Sequence, residues 1–243
     1  MARLATEYAD LKDVRIAYRE HGNGPILLLL HGNSESKRIF TRYQSKHFSD
    51  YRTIAVDSRG HGQSRSNDDE YSIDQFSDDV VNLCKAKNIH SAYIIGYSDG
   101  GNITLFLAKK NPDIFRKIVA ISPNYLVSGT KDKALKLFRI AIKIVTLVKK
   151  LGFKVDRSIM RLNLMMKDIG ITEEELKNIT SDMKILYAAK DLIKEEHIRK
   201  IASLIPNASL TRIDGCNHMT ILNKKETIET IRNYLRESIQ LSS

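Results

Sequence analysis

Short apolar runs exchange regularly with helical stretches along most of this chain, and no other feature limits its possible folds so strongly. Val14, Ile16 and Tyr18 recur at every second position, as in a strand with one buried face. The turn His21-Gly22-Asn23-Gly24-Pro25 follows. Ile26 to Leu30 is then a continuous apolar run, expected of a strand buried on both faces. Arg52 to Val56, Tyr93 to Tyr97, Lys117 to Ile121, Lys184 to Ala188 and Ser209 to Ile213 read as further strands. Ile73 to Lys87 reads as a helix with Phe76, Val80, Leu83 and Cys84 on one face. Asn102 to Lys110, Glu195 to Leu204 and Lys225 to Glu237 also read as helices. Such alternation implies an α/β fold, a mostly parallel central sheet flanked by helices. Sites in such sheets form at the carboxyl ends of strands. The rhythm breaks once. Residues 124–182 carry helix signals and no clear strand, so 1–123 and 183–243 are expected to form one core domain and 124–182 a helical lid.

Composition narrows the function classes. With 42% hydrophobic residues in 243, the chain can bury a substantial core. No apolar run approaches the roughly 18 residues of a membrane helix. The first ten residues include Glu7 and Asp10 and hold no apolar signal region, so a cytoplasmic protein is expected. Cys84 and Cys216 form no metal-like pattern, and both are expected to be reduced. Gly22-x-Gly24 and Gly60-x-Gly62 lack the third glycine of a dinucleotide fingerprint, and there is no P-loop. No cofactor and no metal are expected. The formal net charge is +10. Residues 131–161 hold ten Lys/Arg against Asp132 and Asp156, a surplus of eight, so the charge belongs to one segment and nucleic acid is not an expected partner.

Gly96-Tyr97-Ser98-Asp99-Gly100 matches G-x-S-x-G, between a strand candidate and a helix candidate. The spacing has a mechanical reason. A strand that turns sharply into a helix holds the serine at a strained apex, and small residues on either side let the backbone pass closely. A serine hydroxyl is a weak nucleophile at neutral pH, so it needs a neighbouring base held by a carboxylate.

At this point the chain resembles the α/β-hydrolase superfamily, and its small serine esterases in particular. The matching motifs run in order: His31-Gly32-Asn33 and Asp57-Ser58-Arg59-Gly60-His61-Gly62-Gln63-Ser64, each after a strand, then Gly96 to Gly100, then the late Asp191 and His218. The resemblance implies the order Ser, acid, His. His218, between the last strand and the last helix, is the expected base, while His197 is read as a surface residue of its helix. Asp191, just past Lys184 to Ala188, is the expected acid, ahead of Asp214; Asp182 lies at the wrong end of its strand. The place where a family variant carries its acid reads Ser122-Pro123-Asn124, with no carboxylate. His31 and His61 match turns that are structural in the family. The resemblance also points to the backbone N–H groups of Asn33 and Asp99 as an oxyanion hole. Serine at position 98 disfavours the family's aspartate-nucleophile dehalogenases and epoxide hydrolases.

The expected function is therefore hydrolysis of a carboxylic ester, or a related thioester or amide, through an acyl-enzyme on Ser98. The alternative is a binding or signalling protein that keeps the three residues but turns over little. The expected partner is a small-molecule ester with an apolar part. Asp99 has two readings: a pocket carboxylate that selects ammonium-bearing substrates, or a charge that suits the helix N-terminus. Lys136, Arg139, Lys143, Thr146 and Lys150 form one polar stripe of a lid helix. Opposite lie Leu137, Phe138, Ala141, Ile144, Val145 and Val148, widened by Ile140, Ile142 and Leu147, a face broad enough to need a cover. A second stretch, Ile159 to Met166, adds adaptable methionines suited to an apolar pocket wall. A basic amphipathic helix can also lie on an anionic membrane. The lid reading is preferred here, and membrane contact is not expected.

Overall fold

The computed structural model describes residues 4–115 and 117–236. Among the described residues the sheet has nine strands: β1 (Glu7–Asp10), β2 (Val14–His21), β3 (Ile26–Leu30), β4 (Arg52–Val56), β5 (Arg65–Ser66), β6 (Tyr93–Tyr97), β7 (Lys117–Ile121), β8 (Asp182–Lys190) and β9 (Ala208–Asn217). Their order is β1-β2-β4-β3-β6-β7-β8-β9, with β5 paired to β2. The six strands from β4 to β9 in that order are mutually parallel, while β1, β2 and β5 pair antiparallel at one edge. This is the expected mostly parallel sheet. Edge strands β1 and β5 are short and largely exposed, and so carry little of the apolar signal that marks the others.

The continuous apolar runs follow from burial on both sheet faces. In β3, Leu28 and Leu30 enter the core on one face, and Leu27 and Leu29 that on the other. In β6, Ile94 and Ile95 divide the same way, as the two-residue period of a strand requires. The first face is covered by α1 (Ile73–Ala86), α2 (Asp99–Lys110) and α6 (Glu195–Leu204), and the second by α7 (Lys225–Arg236) and an irregular stretch containing Phe40, Tyr43 and Phe48. Glu237, placed in the last helix by its pattern, lies outside the described residues.

The chain connects β7 to β8 through α3 (Asp132–Lys150), α4 (Asp156–Leu164) and the short α5 (Glu173–Lys177). These helices do not behave alike. Leu176 and Ile179 are fully buried in the core on the face covered by α1, α2 and α6, whereas α3 buries only Ala134 and Leu135.

Two features bring loops together at one end of the sheet. The chain runs from β3 outward to β4, then returns to β6 on the other side of β3, so the order reverses between β3 and β6. Such a switch point opens a crevice at the carboxyl ends of the strands. The loop after β3 is then tied to the loop after β4. Asp57, fully buried, accepts hydrogen bonds from the Lys37 backbone N–H at 2.7 Å, Lys37 Nζ at 2.6 Å and the Gln63 N–H at 2.8 Å. His31 Nε2 accepts from the Ser58 N–H at 3.1 Å, and its Nδ1 donates to the Gly32 carbonyl at 2.7 Å. The two expected structural motifs are thus one interlocked unit.

Candidate active site

Ser98 stands between β6 and α2 with φ 55° and ψ −117°, a backbone conformation strained for a residue with a side chain. The flanking glycines make it attainable. A Cβ on Gly96 would lie 2.2 Å from the Gly100 carbonyl oxygen, and one on Gly100 2.1 Å from that of Leu30. The motif therefore reports a real close approach, the first turn of α2 passing directly over the ends of β6 and β3. The helix begins at Asp99, earlier than the Asn102 expected, because two glycines weaken the helical pattern of its first turn.

Past β8 and β9 the chain brings Asp191 and His218 to Ser98. His218 Nε2 lies 3.1 Å from Ser98 Oγ, and His218 Nδ1 2.7 Å from Asp191 Oδ1. Asp191 is buried, and four donors surround it. Oδ1 also accepts from the Ile193 N–H at 3.2 Å, and Oδ2 accepts from Ser122 Oγ at 2.5 Å and the Ala188 N–H at 3.0 Å. Burial opposes its charge, but bonds from His218, Ser122 and Ala188 outweigh that and hold the carboxyl below its ordinary range. With Asp191 ionised, Nδ1 carries the hydrogen, and Nε2 faces Ser98 as an acceptor.

The alternatives fall elsewhere. Asp214 is ion-paired with Arg212 at 2.9 Å, and Asp182 opens β8 at the opposite end of the sheet. His197 lies on α6 but is buried, which corrects the surface reading. Its ring stacks on Tyr125 at 4.7 Å, its Nε2 accepts from the Tyr125 N–H, and burial pushes its pKa down to about 4. His61 is likewise buried, and desolvation pushes it down to about 3.

Asp99 is the first residue of α2, so its N–H is among the donors that lack an intrahelical acceptor. Asn33 and Asp99 line the same cavity as Ser98 and His218. The Asp99 carboxylate turns toward this cavity, accepting from Asn33 Nδ2 at 2.9 Å and Asn102 Nδ2 at 3.3 Å. Burial raises its pKa against those bonds. Asn33 Nδ2 also donates to the Arg161 carbonyl at 2.8 Å, so the loop after β3 satisfies one of the end carbonyls of α4.

Three further residues here were not legible in the sequence. Ser122 donates to Asp191. The Tyr97 hydroxyl donates to the His218 carbonyl at 2.8 Å, fixing the loop that carries His218. Glu35 lines the cavity and accepts from the Gly32 N–H at 3.1 Å, its pKa raised by burial. Polar side chains of these types are common, and only the packing of separate strand ends reveals their use.

The cavity measures about 330 Å³. Its polar floor holds Ser98 and His218, and its walls include Phe138 of α3, Leu162 and Leu164 of α4, and Met165. Among the described residues, no group of three or more His, Cys, Asp or Glu could hold a metal ion.

This chain belongs to the α/β-hydrolase fold family, whose model matches residues 25–148. Among curated proteins it is similar to 2-(acetamidomethylene)succinate hydrolase of Mesorhizobium japonicum, 32% identical over 112 residues, 46% of this chain and 40% of that protein. The chain spans two fifths or less of the length of the first curated relatives it matches. Among solved structures it resembles an E-2-(acetamidomethylene)succinate hydrolase, with a TM-score of 0.80, 19% identity and coverage of 96% of this chain and 100% of that one. It also resembles the enol-lactonase from Burkholderia xenovorans LB400, with a TM-score of 0.77, 18% identity and coverage of 95% and 100%.

Proposed function

We propose that the protein is a serine hydrolase that cleaves a small carboxylic ester, or a related thioester or amide, through an acyl-enzyme. One observation carries the reading: the unbroken series Ser98–His218–Asp191 opens onto a largely apolar cavity. In this mechanism Ser98 Oγ attacks the substrate carbonyl while His218 Nε2 takes its proton. Asp191 keeps Nδ1–H directed at itself and stabilises the imidazolium that forms. The carbonyl oxygen becomes an oxyanion, which the N–H groups of Asn33 and Asp99 receive. Each such donor is worth about 3–4 kcal/mol in comparable sites. His218 then protonates the leaving group, and a water activated by the same imidazole releases the acid.

The relatives named above, hydrolases of an amide-bearing succinate and of an enol-lactone, are compatible with acyl chemistry on a small substrate. Within residues 124–182, α3 and α4 serve in this reading as a lid, since Phe138, Leu162 and Met165 wall the cavity. Asp99 and Glu35, two carboxyls facing one cavity, favour substrates that bear an ammonium group.

Labelling tests the core of the proposal. A fluorophosphonate should modify Ser98 alone, and Ser98→Ala should lose both labelling and turnover of short-chain esters while melting as the wild type does. Wild-type protein that labels at Ser98 yet hydrolyses no ester, thioester or amide would instead be a binding protein. Esterase activity that survives Ser98→Ala would refute the mechanism.

A further inference from the structure

The broad apolar face of α3 is only half covered. Phe138, Ala141, Ile142, Val145 and Val148 turn toward the protein and are partly buried, whereas Leu137, Ile140, Ile144 and Leu147 stand 53–60% exposed. Leu151 and Phe153, just past the helix, are 69% and 62% exposed. Among the described residues these are six of the eight exposed large hydrophobic side chains, gathered within 17 positions. This corrects the expectation that the whole face finds a cover.

The exposed residues form a pattern. Positions 137, 140, 144, 147 and 151 step by three and four, which draws one straight stripe along the helix. Lys136, Lys143 and Lys150 each precede a stripe residue by one position and recur every seventh, so a row of exposed ammonium groups borders the stripe. Arg139 is exposed on the same side. The only acid on α3 is Asp132, at its start. Lys154 and Arg157 extend the basic border past the helix end.

We propose that this face is a docking surface for an anionic lipid bilayer. A contiguous exposed apolar patch marks an interaction site rather than ordinary surface. Charge then chooses among occupants. A second copy meeting this stripe about a two-fold axis would present the same residues on both sides. Two lysine rows would then border one interface with little acid from either helix to answer them. An anionic headgroup layer complements both parts: the leucines and isoleucines enter the acyl boundary while the lysine stems run along it and lift their charges to the phosphates. α3 also contributes Phe138 to the wall above Ser98, so the docked face lies on the element that closes the cavity. The surface stands independently of the chemistry proposed for Ser98.

Co-sedimentation of the full chain with vesicles tests it, comparing phosphatidylcholine alone with phosphatidylcholine containing about a third phosphatidylglycerol at physiological salt. The protein should bind the anionic vesicles and leave the neutral ones. Each lysine held at such a surface is worth roughly fivefold in partitioning. Replacing Lys136, Lys143 and Lys150 with Gln should therefore weaken binding roughly a hundredfold. Replacing Ile140, Ile144 and Leu147 with Ser should abolish it. These side chains are exposed, so both variants should melt like the wild type and hydrolyse a water-soluble ester at an unchanged rate. The proposal is overturned if the wild type binds neither vesicle, or if both triple variants bind as it does. It is equally overturned if the wild type is dimeric in sedimentation and the serine variant monomeric, since the stripe would then be a subunit interface.

Discussion

Asp191→Asn discriminates between a carboxylate that only orients the imidazole and one that also stabilises its charge. In the structure each carboxylate oxygen accepts one backbone N–H, from Ile193 at Oδ1 and from Ala188 at Oδ2. An amide has one oxygen, so either orientation turns its NH2 against one of those N–H groups. The other partners break the tie. The Ser122 hydroxyl can rotate from donor to acceptor, whereas a His218 Nδ1 that accepts must move its hydrogen to Nε2, facing Ser98. The amide nitrogen should therefore turn toward Ser122, keeping the correct tautomer but leaving the Ala188 N–H unsatisfied. A wrong tautomer costs about 10⁴ in turnover in a comparable triad. Here the loss is that of the carboxylate's hold on the imidazolium, about 1.5–3 kcal/mol, or roughly 10- to 150-fold in rate. The unsatisfied N–H costs about 1–3 kcal/mol of stability, a fall of roughly 2–10 °C in melting temperature. Steady-state kinetics on a short-chain ester and a thermal melt measure both. Adding Ser122→Ala removes the hydroxyl that receives the amide nitrogen, so the double variant should lose a further tenfold or more. Full activity in Asp191→Asn would sink the assignment and leave another carboxylate to be found. A loss of about 10⁴ in the single variant would refute the orientation argument.

Other outcomes follow from the same geometry. Ser122→Ala alone removes a hydrogen bond to a buried carboxylate and should lower kcat about tenfold with KM little changed, since its partner is Asp191 and not the substrate. Buried neutral histidines make the fold acid-sensitive. Above about pH 6.5 these imidazoles are neutral whether the chain is folded or not. As pH falls the unfolded chain takes up protons that folded His197 refuses down to about 4 and His61 to about 3, so stability declines through that window by several kcal/mol. Urea melts at pH 7 and 4.5 should show the decline, and equal midpoints at both would contradict it. Phe138→Ala widens the cavity and should shift preference toward longer acyl chains, read as kcat/KM ratios across an ester series. Matched esters with and without an α-amino group should differ in kcat/KM in favour of the amine, the difference shrinking in Asp99→Asn. Equal rates in the wild type would remove the ammonium reading and leave Asp99 as the residue that holds Asn33.

The division between what this chain's sequence specifies and what its tertiary structure decides follows the range of the forces involved. Strand identity was legible because burial on both faces writes an unbroken apolar run, as in Ile26 to Leu30. Ser98 was legible because its turn is a local backbone constraint, and Gly96 and Gly100 are required where the first turn of α2 passes close to β6 and β3. Their order in the chain and their places after strands point to Asp191 and His218. Their meeting depends on β8 and β9 lying side by side, which pairing across the sheet decides. Ser122 and Tyr97 carried no signal, because each acts through a partner from another strand end, and Glu35 bonds only within its own loop, so its place is visible only in the cavity it lines. His197 shows the same limit. Periodicity places it on a helix, but only the packing of Tyr125 against that helix buries the ring. The clearest case is α3. Periodicity gave it a polar stripe and a broad apolar face, both present in the fold. Periodicity cannot say how much of that face the rest of the chain covers, because cover is supplied by neighbours distant in sequence, and here half of it is left open.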